Sequence, residues 1–196
     1  MTRTRYQHHY YENRGTGVYL FDCVGLTDYF LRRGAPQAWA NMHASLGIRR
    51  GYVPRPTRWA RYLRRLPPSA RGLWQRVERV SAIGPGDFIL MDKVTDPSAR
   101  HFVGHAMVAA SAQRRLADGS YALKVYDSTG TAHGDRDSRL RDPRAIKLSP
   151  SRRAGSGLGF GTVSLFPDAK GRAARIAWSP GRRPVPTPVT IGRPLR

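Results

Sequence analysis

The stretch "YLFDCVGLTDYFLRR", Tyr19 to Arg33, combines the single cysteine of the chain with its first clear helix signal. Asp22 suits the N-cap, because its carboxylate can accept hydrogen bonds from the free N–H groups of a first helical turn. Apolar residues then recur at helical spacing, and Gly34 ends the pattern. We therefore predict a helix over 22–33 with Cys23 at its N-terminus.

The position of Cys23 has two interpretations. A helix N-terminus lowers the pKa of a thiol, and its free N–H groups can stabilise an oxyanion, as acyl transfer requires. A free cysteine is also among the most buried residue types and often only fills a core. The catalytic interpretation predicts a Cys23 pKa well below the usual value of about 8.5, and it requires a base.

His105 is the best candidate for the base. It lies inside the apolar segment 102–110, between Gly104 and Ala106, where small neighbours allow another element to approach. A hydrogen-bonded core histidine is the alternative interpretation of this position. His101, two residues earlier, is the second choice of base.

Asp127 is the candidate for orienting the imidazole of His105, as the third member of a catalytic triad does. It falls near the end of the predicted strand "YALKVYDST", which follows the segment of His105. The two side chains share one face of a hairpin only if an odd number of residues connects the paired positions. The alternative interpretation is an aspartate that forms a turn before Ser128.

The order of the predicted elements indicates an α+β fold, with N-terminal helices packed on a C-terminal antiparallel sheet. Three more helices are predicted after the first, at 37–46, 57–68 and 70–80. Five strands follow, and they are predicted in "SAIGPGDFILM", "RHFVGHAMVAASAQRR", "YALKVYDST", "GFGTVSLF" and "RAARIAW". We expect an irregular lead-in over 1–18, one domain over 19–178, and a disordered or extended Pro/Arg-rich tail over 179–196.

Composition limits the classes of function. The net charge is +21, from 34 basic and 13 acidic residues, which predicts non-specific contact with polyanions. A single cysteine excludes an internal disulfide framework and a Cys-rich zinc site. No apolar run is long enough for a membrane span, and no apolar signal segment follows the N-terminus. We expect a cytoplasmic protein, or an export signal missing from this version of the chain.

Neither a cofactor nor a metal is expected. The segment "HGDRD" offers His133, Asp135 and Asp137 as metal ligands, but such groups in a polar loop are usually solvated. The glycine run "GSGLGFG" lacks the spacing of a dinucleotide-binding motif and precedes a strand, so it does not predict a phosphate site.

Three segments together resemble the NlpC-type cell-wall peptidases, a bacterial branch of the papain-like fold. "FDCVGLTDYFLR" is similar to the cysteine motif of this family, with Val24 where the family usually has serine. "GPGDFILM" looks like the Pro-Gly-Asp turn into the first strand. "HFVGHAMVA" resembles the histidine strand, although its residue order is altered and Asp127 follows at a longer distance than usual.

The resemblance implies a papain-like fold and a Cys-His-Asp triad of Cys23, His105 and Asp127. It also implies a cysteine amidase or peptidase that cleaves peptidoglycan stem peptides, in an exported or cell-envelope setting. An acyltransferase on the same scaffold is a variant of this hypothesis. The alternative is a basic, non-catalytic protein that binds nucleic acid or another polyanion. The sequence leaves the oligomeric state open.

Overall fold

The structure is a computed structural model. It describes residues 1–8, 10–49, 51–70, 72–92 and 104–195. In this part of the chain three helices precede a curled, nine-stranded antiparallel sheet, so the predicted α+β class is confirmed. His101, the second choice of base, lies outside the described residues, as does the beginning of the predicted strand around it.

The helices are α1 (Cys23–Gly34), α2 (Pro36–Ser45) and α3 (Pro56–Arg64), close to the first three predicted ones. Asp22 is the N-cap of α1, and its Oδ1 accepts a hydrogen bond from the Gly25 N–H at 2.7 Å. Among the described residues, no helix combines the length and apolar character that crossing a membrane demands.

The large sheet contains nine strands, and every pairing in it is antiparallel. The strands are β4 (Trp74–Val77), β5 (Phe88–Met91), β6 (His105–Ala109), β7 (Arg114–Arg115), β8 (Tyr121–Thr129), β9 (Gly157–Pro167), β10 (Ala173–Ala177), β11 (Val185–Pro186) and β12 (Val189–Pro194). They follow the spatial order β11-β10-β9-β8-β6-β5-β12-β4, and β7 pairs with β8. Strands β6 and β8, which carry His105 and Asp127, are neighbours in the middle.

The middle of the sheet is buried on both faces. In β5, Phe88 and Leu90 pack into the apolar cluster beneath the helices, whereas Ile89 and Met91 belong to a second cluster on the other face. Successive side chains of a strand point to opposite faces, which explains why β5 reads as an uninterrupted apolar run. Burial of each such side chain stabilises the fold by about 1.5–3 kcal/mol. The buried strand β5 therefore fixes the position of β6, with which it pairs.

The helix predicted over 70–80 is wrong. The structure has strand β4 here and a short 3₁₀ helix at Val80–Ala82. The backbone of β4 pairs with β12, and the ring of Trp74 packs edge-on against Phe88 at 6.1 Å between centroids. Pairing with a strand more than 100 residues away overrides the local helical pattern.

The lead-in over 1–18 is not irregular. It contributes β1 (Arg3–Tyr6), β2 (Tyr11–Asn13) and the first residue of β3 (Val18–Phe21), which form a small sheet in the order β1-β3-β2. The buried Thr4 anchors this sheet, since its Oγ1 accepts a hydrogen bond from the N–H of Leu158 at 2.8 Å. Strands this short carry too little periodicity to be recognised in a sequence.

Of the two alternatives for the Pro/Arg-rich tail over 179–196, the extended one is confirmed, because β11 and β12 are strands. The tail is not a separate segment, since β12 lies between β5 and β4. Arg193 in β12 forms a two-pronged ion pair with the buried Asp87, at 2.7 Å (Nε to Oδ1) and 2.8 Å (Nη2 to Oδ2). Four prolines stand at an end of β11 or β12 or directly beside one of them, where a strand tolerates a missing N–H donor: Pro184, Pro186, Pro188 and Pro194.

We predict that Arg193→Gln lowers the free energy of unfolding by about 2 kcal/mol, because it leaves the buried Asp87 without its charged partner. Arg115→Gln removes an equal charge from the exposed strand β7 and should change stability by less than about 0.5 kcal/mol. Urea unfolding followed by circular dichroism measures both values. Equal effects would show that the Arg193–Asp87 pair does not hold the tail in the fold.

Candidate active site

Cys23 is the first residue of α1, and β6 and β8 hold it in place. The carbonyl of Phe21, two residues earlier, accepts a hydrogen bond from the Ser128 hydroxyl of β8 at 2.7 Å. The sulfur packs beneath the helices in the same apolar cluster as Ala106 of β6. His105, one residue earlier, pairs with Met91 of β5 and shares its face of the sheet, which carries the second apolar cluster.

His105 and Asp127 meet on one face of the sheet. Strands β6 and β8 pair Val108 with Tyr126 and Ala109 with Val125, so an odd number of residues connects them. Continued along β6, this register places Asp127 two residues from the position opposite His105, on the same face. The Nε2 atom of His105 lies 2.7 Å from Oδ2 of Asp127, and both side chains are buried.

Asp127 also contacts two residues that the sequence did not single out for this site. Nε2 of His133 lies 2.8 Å from Oδ2 of Asp127, and the guanidinium of Arg139 forms an ion pair with Oδ1. Arg139 also pairs with Asp137 at 2.8 Å and donates to the carbonyl of Gly157 at 2.8 Å. The guanidinium of Arg139 and the rings of His133 and His105 thus surround the carboxylate of Asp127, which has no solvent exposure.

The pKa of Asp127 follows from this environment. Burial alone would raise it, but the charges of His133 and Arg139 and the hydrogen bond from His105 outweigh burial and hold the pKa well below its usual value. Asp127 is therefore an ionised carboxylate across the neutral range, and both of its oxygens accept hydrogen bonds.

The ionised carboxylate defines the protonation of both histidines. Because Asp127 has no proton to donate, Nε2 of His105 and Nε2 of His133 each carry one. The other nitrogen of His133, Nδ1, lies 3.0 Å from the carbonyl of Trp178 and must also donate. His133 is thus an imidazolium, since both of its ring nitrogens donate.

The pKa of His133 agrees with this assignment. Burial works against the charge, but the adjacent Asp127 carboxylate, through its charge and its hydrogen bond, raises the pKa above its ordinary value of 6.5. His133 and Arg139 together balance the buried negative charges of Asp127 and Asp137. The network therefore contains two ions of each sign.

The prediction of a lowered pKa for Cys23 is wrong. Burial raises the pKa of the thiol to about 12, and the negative charges of Asp22 and Asp127 contribute in the same direction. The hydrogen bonds from the N–H groups of Ala106 and Val24 lower it, but by less. The N-cap that begins the helix places a carboxylate beside the sulfur and cancels the effect expected from the helix dipole. Cys23 is a protonated thiol in this structure.

Tyr6 is a third residue that the sequence did not single out. Its pKa is raised, first by burial and then by the negative charges that Cys23 and Asp22 carry when ionised. The phenol therefore stays protonated at neutral pH and is an O–H donor in the electrostatic neighbourhood of the sulfur. Tyr6 belongs to β1, within the segment that the sequence predicted to be irregular.

The glycine run that begins β9 supplied a signal for His133 and Arg139, two residues that the sequence did not single out for this site. A Cβ atom at Gly159 would lie 2.7 Å from Cγ of Arg139, and one at Gly161 would lie 2.5 Å from Cβ of His133. Both are closer than real Cβ contacts. Alternate glycines therefore clear one face of β9 for the two cations that bind Asp127.

A metal does not fit this cluster well. Ligand atoms of His105, Asp127 and His133 all lie within 4.8 Å of one another. The ligand atoms of a tetrahedral zinc ion stand about 3.3 Å apart. Here the Nε2 atoms of His105 and His133 lie only 2.7 and 2.8 Å from Oδ2 of Asp127, which are hydrogen-bonding distances. The other carboxylate oxygen, Oδ1, is already paired with Arg139. The "HGDRD" trio does not assemble either, because the Asp135 side chain is 89% exposed while His133 and Asp137 are buried.

Comparisons with known proteins assign the chain to no family: no family model, no curated protein and no solved structure matches it. What the site does has to be inferred from the geometry of its own residues.

We predict that Cys23 in the native protein reacts slowly with iodoacetamide at pH 7. A thiol whose pKa is raised from 9.0 to about 12 has roughly a thousandfold less thiolate, and burial restricts access further. Intact-mass analysis should show labelling at least about a hundredfold slower than in urea, with a rate that rises with pH. Complete labelling within minutes at pH 6 would show a thiolate paired with an imidazolium instead.

The raised pKa of His133 predicts a pH-dependent stability. A group whose pKa is higher in the folded than in the unfolded state stabilises the fold fully below its unfolded pKa, here about 6.5, and loses this contribution as the pH rises through the folded value. As the pH rises above about 6.5, wild type should therefore lose stability in excess of any loss in His133→Asn. Urea unfolding at several pH values measures this difference. Parallel curves would contradict a charged His133.

Proposed function

We propose that the chain is a papain-like cysteine hydrolase in which Cys23, His105 and Asp127 form the catalytic triad. One observation carries the proposal. Helix α1, which begins at Cys23, packs against β6, and His105 at the start of β6 is bound to an ionised, buried carboxylate at 2.7 Å. More specifically, we propose an amidase or peptidase of the NlpC type.

The first chemical step is attack by Cys23 on an amide carbonyl. The thiol is protonated beforehand, so its proton passes to Nδ1 of His105 as the sulfur–carbon bond forms. The Nε2–H bond to Asp127 keeps the proton-accepting nitrogen free and stabilises the imidazolium that results. A thiol with a pKa of about 12 depends on this base more than a preformed thiolate would.

The negative charge that develops on the carbonyl oxygen needs donors. The Gly25 N–H is engaged by Asp22, so the backbone N–H of Cys23 is the candidate from the first turn of α1. The protonated phenol of Tyr6 is a second candidate from β1. His105 then gives its proton to the leaving amine, and an acyl group remains on the sulfur as a thioester.

The second step returns the enzyme to its resting state. Water gives a proton to Nδ1 of His105 as it attacks the thioester, and the carboxylic acid leaves as the thiol is restored. An amine in place of water would give an acyltransferase. The proposed substrate, a peptidoglycan stem peptide, comes from the resemblance of three sequence segments and from the attraction of a +21 protein to carboxylate-bearing polymers.

The test compares wild type, Cys23→Ala and His105→Gln on purified peptidoglycan fragments, with products measured by mass spectrometry. His43 supplies a matched control, since its Nε2 also lies 2.7 Å from a buried aspartate, Asp28, between α1 and α2. We expect Cys23→Ala and His105→Gln to lower the rate of product release at least about a thousandfold. His43→Gln should retain activity in proportion to its folded fraction.

Two other outcomes point to different functions. Loss of activity in EDTA that zinc restores would indicate a metal hydrolase built on His105, Asp127 and His133. No products from wild type, together with tight binding of nucleic acid that Cys23→Ala leaves unchanged, would favour a basic polyanion-binding protein. Either outcome would overturn the cysteine mechanism.

A further inference from the structure

A cavity of about 590 Å³ lies on the side of the site opposite α1, where the second apolar cluster reaches the surface. Its apolar lining includes Met91, Leu140, Ile176 and Trp178. The size is typical of pockets that bind small organic molecules or a few residues of a peptide. None of the triad residues lines the cavity, so it is a separate feature of the molecule.

Trp178 joins this cavity to the candidate active site. Its ring packs edge-on against His105 at 5.1 Å and against His133 at 4.8 Å, measured between ring centroids. Its carbonyl accepts the Nδ1–H of His133. A molecule that lies on the cavity side of Trp178 is thus separated from the proposed base by the thickness of one side chain.

The rim of the cavity is positively charged. Arg182 and Arg183 are exposed and line it, and Arg153 lines it as well. Asp135 is the one acidic residue among the lining residues described, and it pairs with Arg153 at 3.3 Å. Arg182 and Arg183 therefore give the mouth an uncompensated positive charge above an apolar floor. This combination fits an anionic group attached to an apolar body.

We infer that this cavity is a substrate subsite for a group that carries an apolar side chain and a carboxylate, away from the scissile bond. As a statement about substrates, the inference rests on the proposed hydrolase function. The apolar side chain packs on Trp178 and Ile176, and the carboxylate meets Arg182 and Arg183. Trp178 stands between this subsite and His105.

Binding tests the subsite without any need for catalysis. The probes are N-acetyl-L-phenylalanine and its uncharged analogue N-acetyl-L-phenylalanine amide, titrated by calorimetry into wild-type protein. We expect the carboxylate to bind about tenfold more tightly than the neutral amide at low salt, and the preference to shrink as salt screens the exposed arginines. Equal affinities of the two probes would overturn the inference.

Two double variants locate the binding. Arg182→Gln with Arg183→Gln should weaken binding of the carboxylate about tenfold and leave binding of the neutral probe unchanged. The matched control is Arg114→Gln with Arg115→Gln, which removes the same charge from two adjacent, exposed arginines of β7 that do not line the cavity. Equal weakening by the two double variants would show a general charge effect and overturn the subsite.

Hydrolysis separates this inference from the proposed function. If wild type releases peptidoglycan products and the Arg182/Arg183 double variant raises KM while kcat changes little, both are supported. Carboxylate-selective binding without any hydrolysis leaves the anion site standing, but it overturns both the proposed function and the role of the cavity as a substrate subsite. If wild type and the Arg182/Arg183 double variant hydrolyse the substrate with the same KM and kcat, the proposed hydrolase function is supported and the subsite is overturned.

Discussion

The buried carboxylate of Asp127 is the group on which the rest of the site depends. An ionised carboxylate without solvent exposure is tolerated only when cations and hydrogen bonds surround it. His105, His133 and Arg139 supply these contacts from strand β6 and from the segment between β8 and β9. Removal of one cation from such a network typically costs about 3–5 kcal/mol, because it leaves a buried charge unpaired.

The same carboxylate accepts a hydrogen bond from each of the two histidines. His133 donates from both nitrogens and balances charge, whereas His105 donates to Asp127 from Nε2. Because Arg139 and His133 share the negative charge of Asp127, His105 is not the single counterion of this carboxylate.

Cys23 is buried, and both its burial and the nearby carboxylates oppose ionisation of the thiol. This is consistent with a nucleophile that is activated only when a substrate carbonyl is in place and His105 accepts the proton. The cavity beyond Trp178 has an apolar floor and a cationic rim, and Trp178 separates it from His105.

Local sequence determined the features that short-range physics controls. Neighbouring residues are enough to predict the N-cap at Asp22, the apolar periodicity of α1 to α3 and the alternation along β8. The contact of His105 with Asp127 follows from the odd number of residues that connects the paired positions of β6 and β8. Tertiary structure decided the rest. Strand β4, the tail strand β12, the cations on Asp127 and the raised pKa of Cys23 all depend on groups distant in sequence or on burial. Pairing partners and desolvation are properties of the folded chain, so no local pattern encodes them.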